Sequence, residues 1–421
     1  MKSNNNLSVN LNSEIGDLEG VIIHTLGSEV ENMTPENAER ALYSDILNLS
    51  VAQTEYAQLS GILKKVAPVF EVKDLLASVL EKPEVRTKLL KQVCKNCSHD
   101  YVGEYLVDLK AQELARQLIE GVVLERDSLS RFLSHQRFAI RPLHNFFFTR
   151  DASVAMYDKV LLGKMASKVR ERESQIMDAI FTNYEDFNTS TFTTQAKGVS
   201  CDKISIEGGD VLIGREDLLV IGISNRTTSH GIDVVIEKLR HRKQKQHIIV
   251  QELPTDLESF IHLDMVFTFL SQDECMVYEP VIMQPNRYKT IHITTENGKV
   301  RIKEEKNILE VLTKIGMPMK PIYCGGRADL WTQEREQWHS GANFFAIGPG
   351  KVIGYNRNVN TIEELNKNGY EVIKASHVLK EKVNLDEYQK YVVTIEGSEL
   401  ARGGGGARCM TMPFRRKNIK W

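Results

Sequence analysis

The sequence predicts a mixed α/β fold carrying one inserted helical block. Two observations predict it. After Pro142, short β-branched and aromatic runs come in pairs around turn residues and alternate with helical stretches. Between Lys73 and Ser134, apolar residues instead recur at three- and four-residue spacing with almost no strand pattern. A chain of 421 residues has room for two or three domains, or for one large domain with insertions.

The elements follow in order. EGVIIHTLG (19–27) is a β-branched apolar run closed by glycine, which predicts a buried strand. TPENAERALYSDIL (34–47) predicts a helix, with Thr34 placed to cap it and Pro35 at its first helical position. The helical block comes next, its apolar faces written in VKDLLASVLEKPEVRTKLLKQV and YLVDLKAQELARQLIEGVVL. DMVFTFLSQDECMVYEP (264–280) reads as strand, tight turn, strand. TIHITTENGKVRIKEEK (290–306) alternates about Asn297-Gly298, a strong hairpin signal. NFFAIGPGKVIGYNRN (343–358) turns at Pro349-Gly350, and TIEELNKNGYEVI (361–373) is a helix stopped by Gly369 with a strand behind it. No internal sequence repeat is visible.

Charge narrows the function. Lys and Arg total 54 against 56 Asp and Glu, so the chain lacks the basic footprint of a nucleic-acid or anionic-membrane binder. No apolar run is long enough to span a bilayer, and the N-terminal MKSNNNLSVNLNSE has no apolar signal core, so a cytosolic protein is expected. Six cysteines in a long chain of this kind do not read as a disulfide framework. Cys94 and Cys97 form a C-x-x-C pair, but they lie in helical sequence and no second ligand pair has zinc spacing; His99 alone does not complete a site. They read as two ordinary thiols.

The residues that could carry chemistry are few. ARGGGGARCMTMPF (401–414) places Cys409 behind four glycines, with Arg402, Arg408, Arg415 and Arg416 around it. Positive neighbours lower a thiol's pKa, and glycines let backbone come close to a ligand. The same segment reads equally as a buried Cys in a Gly-rich turn. In FIHLDMVFTFL, His262 and Asp264 stand two apart at the start of an apolar strand, where a period of two puts them on one face. SIEGGDVLIG (205–214) brings Glu207 and Asp210 into a strand through two glycines, and NFFFTRDAS (145–153) sets Asp151 after an aromatic run with Arg150 beside it. A bonded core His, a bulge acid and a surface ion pair are the plain alternatives. One Cys, one His and several acids together suit a cationic planar group, because carboxylates bind a guanidinium bidentately in its plane.

Several segments, in order along the chain, resemble the arginine deiminase family of guanidine-modifying enzymes. They are SEIGDLEGVIIH (13–24), ENMTPENAERALYSDI (31–46), NFFFTRD (145–151), KVRERES (168–174), IEGGDVLIG (206–214), ISNRT (223–227), HLDMVFTFL (262–270), REQWHSGANFFAIGPGKVIGYNRN (335–358) and ARCMTMPFRRKNIKW (407–421). The resemblance implies a pentein fold, a five-bladed pseudo-symmetric α/β propeller. Residues 1–72 and 139–421 would form it, and 73–138 would be an inserted helical bundle. It implies hydrolysis of L-arginine to L-citrulline and ammonia, with no metal or organic cofactor, a small-molecule substrate and a homo-oligomer.

By the same resemblance, Cys409 attacks the guanidinium carbon and His262 is the general acid and base. Asp151 and Asp264 grip the guanidinium, and Glu207 sits beside the His and the substrate nitrogens. Arg170 and Arg226 hold the α-carboxylate. Asn145 and Phe148 line the pocket, and Arg408 matches a loop arginine that varies. A thiol among carboxylates is expected to stay protonated until a guanidinium arrives. A methylarginine or citrulline hydrolase, an amidinotransferase and a non-catalytic scaffold are the other readings.

Departures from the family pattern fall on the amino-acid end of the substrate. The glycine run has Gly404 where relatives often carry a second, carboxylate-contacting arginine. HTLG (24–27) replaces His-Arg-Pro-Gly, and LHN (143–145) replaces Met-Pro-Asn.

Overall fold

A computed structural model describes residues 7–33, 45–95, 101–193, 200 and 203–421. The helix expected over 34–47 falls largely outside them, as do Cys97 and Cys201.

Among the described residues, five sheets of three to five strands share one order of elements: a strand, an antiparallel partner, a helix, and a strand returning parallel to the partner. In one, Ser153–Met156 pairs with Lys159–Leu162, the helix Glu171–Asn183 crosses over, and Ser190–Phe192 returns. In the next, Val211–Arg215 pairs with Leu218–Ile223, Ser229–Leu239 is the helix and Gln246–Glu252 returns. Phe267–Phe269 and Glu274–Val277 lead through Ile308–Lys314 to Lys320–Tyr323. Phe345–Gly348 and Lys351–Tyr355 lead through Val359–Lys367 to Tyr391–Ile395, with Glu371–Lys374 added at the edge. The fifth sheet joins the two ends of the chain: Met412–Arg416 pairs antiparallel with Leu18–Ile23, Leu49–Val66 is the helix, and Val69–Glu71 returns.

Two features extend this plan. The hairpin Thr290–Glu296 and Lys299–Glu305 widens the second of these sheets to five strands; it turns on Asn297 and Gly298, both at positive φ (51° and 77°), as a type I′ turn requires. The helices Val72–Leu80, Pro83–Cys94, Tyr101–Val107 and Ala111–Glu120 follow the fifth sheet's last strand. The helical stretch expected to reach Ser134 is corrected at its end: Gly121 stops the last helix, Val122–Val123 pairs with Phe138–Ile140, and between them Leu129–Phe132 is a single short helix. Leu75, Leu76, Leu114 and Leu118 join Phe146, Val154 and Ile180 in one continuous apolar cluster, so the block packs directly on the neighbouring sheet. Among the described residues no helix is long and apolar enough to cross a membrane.

In all five sheets the first strand is entered from a short turn or loop. These entries are Thr149–Ala152, Gly208–Asp210, Leu263–Met265, residues 341–344 and residues 407–411. They carry the candidate residues.

Candidate active site

Five chain segments far apart in sequence meet through these entry turns. Asp151 lies in the turn before Ser153, Glu207 directly before the turn Gly208–Asp210, and Cys409 three residues before Met412. His262 and Asp264 do not sit on a strand. Leu263–Met265 is a single 3₁₀ turn and the strand starts only at Phe267. The period-two expectation for this pair is therefore corrected, since a 3₁₀ turn and not alternation sets their directions. The glycines explain how the turns pack so closely. A Cβ on Gly208 would stand 2.1 Å from the Arg150 carbonyl oxygen, and one on Gly209 would stand 2.4 Å from His262 Nδ1.

His262 Nε2 hydrogen-bonds Glu207 Oε2 at 3.0 Å, and its Nδ1 faces Asp151 Oδ1 at 3.7 Å. All three residues are buried. Burial disfavours the charged ring, but Asp151, Glu207 and Asp210 outweigh it and raise its pKa to about 9. The imidazolium in turn holds the Glu207 carboxyl well below the usual carboxylate range, against the opposing effect of burial.

Asp264 is shared. Its Oδ2 accepts from Arg408 Nη1 at 2.8 Å and lies 3.6 Å from Cys409 Sγ, while its Oδ1 lies 3.9 Å from the same sulfur. Arg408 is 1% exposed and turned away from open space; its Nε and Nη2 grip both oxygens of Glu14 at 3.1 Å. Arg170 repeats this arrangement on the other acid. It bonds Asp151 Oδ2 at 2.8 Å and Glu173 through Nε and Nη2, and stands 3.8 Å from Glu207. Each aspartate thus has one oxygen held by an arginine of the chain, and the Oδ1 atoms of both are left without an arginine partner.

Cys409 is 2% exposed, and Asn343 pins it. Asn343 Nδ2 donates to Sγ at 3.1 Å, and its Oδ1 accepts from the amides of Arg408 and Cys409. Burial pushes the thiol pKa well up, and Asp264 and Asp151 push it further. The arginines flanking Cys409 in sequence do not offset this. Arg402 pairs with Asp45 and Glu399, Arg415 with Glu19, and Arg416 donates to the carbonyls of Gly16 and Ala346. Only Arg408 is near, and Glu14 and Asp264 neutralise it.

The mouth is sparser. Arg226, Glu258, Ile261, Met265, Trp338 and Gly404 border a cavity of about 40 Å³. Arg226 is half-buried and Glu258 exposed. Phe148 is buried against Phe147, with ring centroids 4.0 Å apart, and Asn145 is buried with its carbonyl oxygen 3.5 Å from Arg170 Nη2. Arg170 and Arg408 could meet a substrate only by releasing an acid they now hold.

Asp151, Glu207 and His262 offer ligand atoms within 4.8 Å of one another, a donor set for a divalent cation. The Arg170 guanidinium already stands against two of them, so a metal there would compete with a fixed positive charge.

Sequence reading missed Asn343, Glu14 and Glu173, which hold the nucleophile, Arg408 and Arg170. Each lies inside a segment quoted above, but nothing local distinguishes a buried Asn or Glu from an exposed one. Only partners far along the chain do so.

The family model for arginine deiminase matches residues 39–416. An arginine deiminase of Bacillus cereus is 30% identical across 98% of this chain and 99% of its own length. One from Listeria monocytogenes is 32% identical over the same shares. The chain belongs to the arginine deiminase family. Solved structures carry the fold further. An amidinotransferase from Microseira wollei superposes with a TM-score of 0.53 at 13% identity, covering 98% of each chain. DDAH from Pseudomonas aeruginosa superposes with a TM-score of 0.50 at 13% identity, covering 94% of this chain and all of that one. These distant structures share the mixed α/β fold of this chain.

Proposed function

We propose that this protein is an arginine deiminase that hydrolyses L-arginine to L-citrulline and ammonia through a covalent intermediate on Cys409. The observation that carries the reading is the meeting of one thiol, one imidazole between two acids, and two aspartates, each with an oxygen free of arginine, within a buried site.

The substrate guanidinium binds between Asp151 and Asp264, whose free oxygens accept its N–H groups. Its positive charge offsets the two carboxylates that hold the thiol protonated, so Cys409 releases its proton to bulk water as the substrate seats. The thiolate adds to the guanidinium carbon. The tetrahedral adduct collapses as His262, already protonated, gives its proton to the departing ammonia. The neutral imidazole then takes a proton from water, which attacks the thiouronium carbon. The adduct expels the thiolate, which takes up the adduct's hydroxyl proton and returns to the thiol as citrulline leaves; Glu207 holds the ring in place through both steps.

Arg226 holds the α-carboxylate at the mouth, with Asn145 and Phe148 along the wall. Arg170 reaches the same carboxylate by releasing Asp151, and Arg408 supports Asp264 from below. The five like-ordered sheets, each entered from a turn at the site, support a five-bladed propeller with residues 73–138 as an inserted helical domain. The absence of a membrane-spanning helix among the described residues fits a cytoplasmic enzyme, and assembly as a homo-oligomer is part of the same proposal.

The test is direct. Purified protein given L-arginine should form equal amounts of citrulline and ammonia, and Cys409→Ser should form neither. Turnover of another guanidine but not of L-arginine would move the assignment to that substrate. No turnover of any guanidine would overturn it.

A further inference from the structure

Asp210 is a buried acid that the mechanism above does not use, and three parts of the site converge on it. It is fully buried at the end of the turn that begins behind Glu207. Its Oδ1 accepts the backbone N–H of Leu263, the residue after His262, at 2.8 Å. Its Oδ2 accepts the hydroxyl of Ser224 at 2.6 Å. Ser224 Oγ then accepts the backbone N–H of Arg226 at 3.0 Å and of Thr227 at 3.1 Å, and Thr227 Oγ1 accepts the N–H of Glu207 at 3.1 Å. Among the described residues no Arg or Lys ion-pairs with Asp210; its hydrogen-bond donors are the Leu263 amide and the Ser224 hydroxyl. A Cβ on Gly222 would stand 2.3 Å from Asp210 Oδ1 and 2.9 Å from Leu263 Cβ, so the glycine is what admits the carboxylate to this position.

We propose that Asp210 is a positioning residue that ties the orientation of His262 to the placement of the Arg226 loop, so that proton transfer and grip on the substrate's far end are set by one carboxylate. One arm runs through the Leu263 amide to the imidazole, and the other runs through Ser224 to Arg226. A half-satisfied buried network is costlier than the sum of its bonds, so loss of the carboxylate loosens both arms together. The proposal rests on the roles given above to His262 and Arg226.

The experiment compares Asp210→Asn with Ser224→Ala in the full chain. Hydrogen exchange reads the network without any substrate. Asp210→Asn should speed exchange at least tenfold in both 262–265 and 224–228, and Ser224→Ala in 224–228 alone. Kinetics read its consequence. Ser224→Ala should raise KM for L-arginine about tenfold with kcat within twofold, and leave agmatine, which has no carboxylate, unaffected. Asp210→Asn should lower kcat about a hundredfold and raise KM as well. Exchange confined to one segment in Asp210→Asn, or equal losses on arginine and agmatine in Ser224→Ala, would overturn the proposal. If Asp210→Asn fails to fold, the Ser224→Ala comparison still decides. Correct exchange with no arginine turnover by the unmodified protein would fault the functional reading and not the network.

Discussion

The inner end of the site and its mouth are built differently. At the inner end Cys409, His262, Glu207, Asp151 and Asp264 are all buried, and each is held by partners from other segments: Asn343 on the thiol, Arg408 on Asp264, Arg170 on Asp151. At the mouth, half-buried Arg226 and exposed Glu258 face a small cavity beside Gly404. The difference teaches where each property resides. Under the proposed function, the guanidine end meets a dense buried network and the amino-acid end meets a few half-buried or exposed side chains.

Four changes probe that contrast. His262→Asn should have the largest effect, lowering kcat by at least about a thousandfold with little change in KM, because it removes the group that the proposed mechanism uses as proton carrier in both half-reactions. Glu14→Gln comes next. It leaves Arg408 buried with one carboxylate instead of two, which should cost about 3 kcal/mol of stability in denaturant unfolding. In the glycine run, Gly405→Ala should disrupt activity far more than Gly404→Ala. A Cβ at Gly405 would meet the Phe148 ring at 2.5 Å and Cys409 Cβ at 3.0 Å, whereas one at Gly404 meets nothing within 4 Å and strains only the φ of +84°. That strain is worth about 1–2 kcal/mol, so Gly404→Ala should fold and turn over within several-fold of the native chain.

The smallest effect is the pH dependence of stability. His262 has a folded pKa near 9, above its unfolded value of 6.5. Its contribution is therefore complete below pH 6.5 and lost as pH rises through 9. The melting temperature should fall over that window, and His262→Gln should lack that part of the slope.

Much of this was legible in the sequence, for definite reasons. The hairpin at Asn297-Gly298, the helix ended by Gly369 and the helical faces of 73–120 are local signals, and the structure has each of them. The fivefold recurrence of strand, strand, helix and strand was not legible in the residue pattern itself and entered only as what the family resemblance implies. The units share an order of elements and not a pattern of residues, and one is closed by pairing Leu18–Ile23 with Met412–Arg416 across the whole chain. Within the site, Cys409, His262 and the acids could be named because few residue types do such chemistry. The directions of Arg402, Arg408, Arg415 and Arg416 could not, because adjacency in sequence says nothing about which carboxylate or carbonyl each one meets.

Under the proposed mechanism the buried carboxylates keep Cys409 protonated until a guanidinium seats between them. Ultraviolet thiolate absorbance tests it most directly, measured near neutral pH with and without L-arginine and referenced to Cys409→Ser. The account predicts no thiolate signal from Cys409 in the free enzyme and its appearance when substrate binds. A full thiolate signal in the free enzyme, unchanged by arginine, would contradict it.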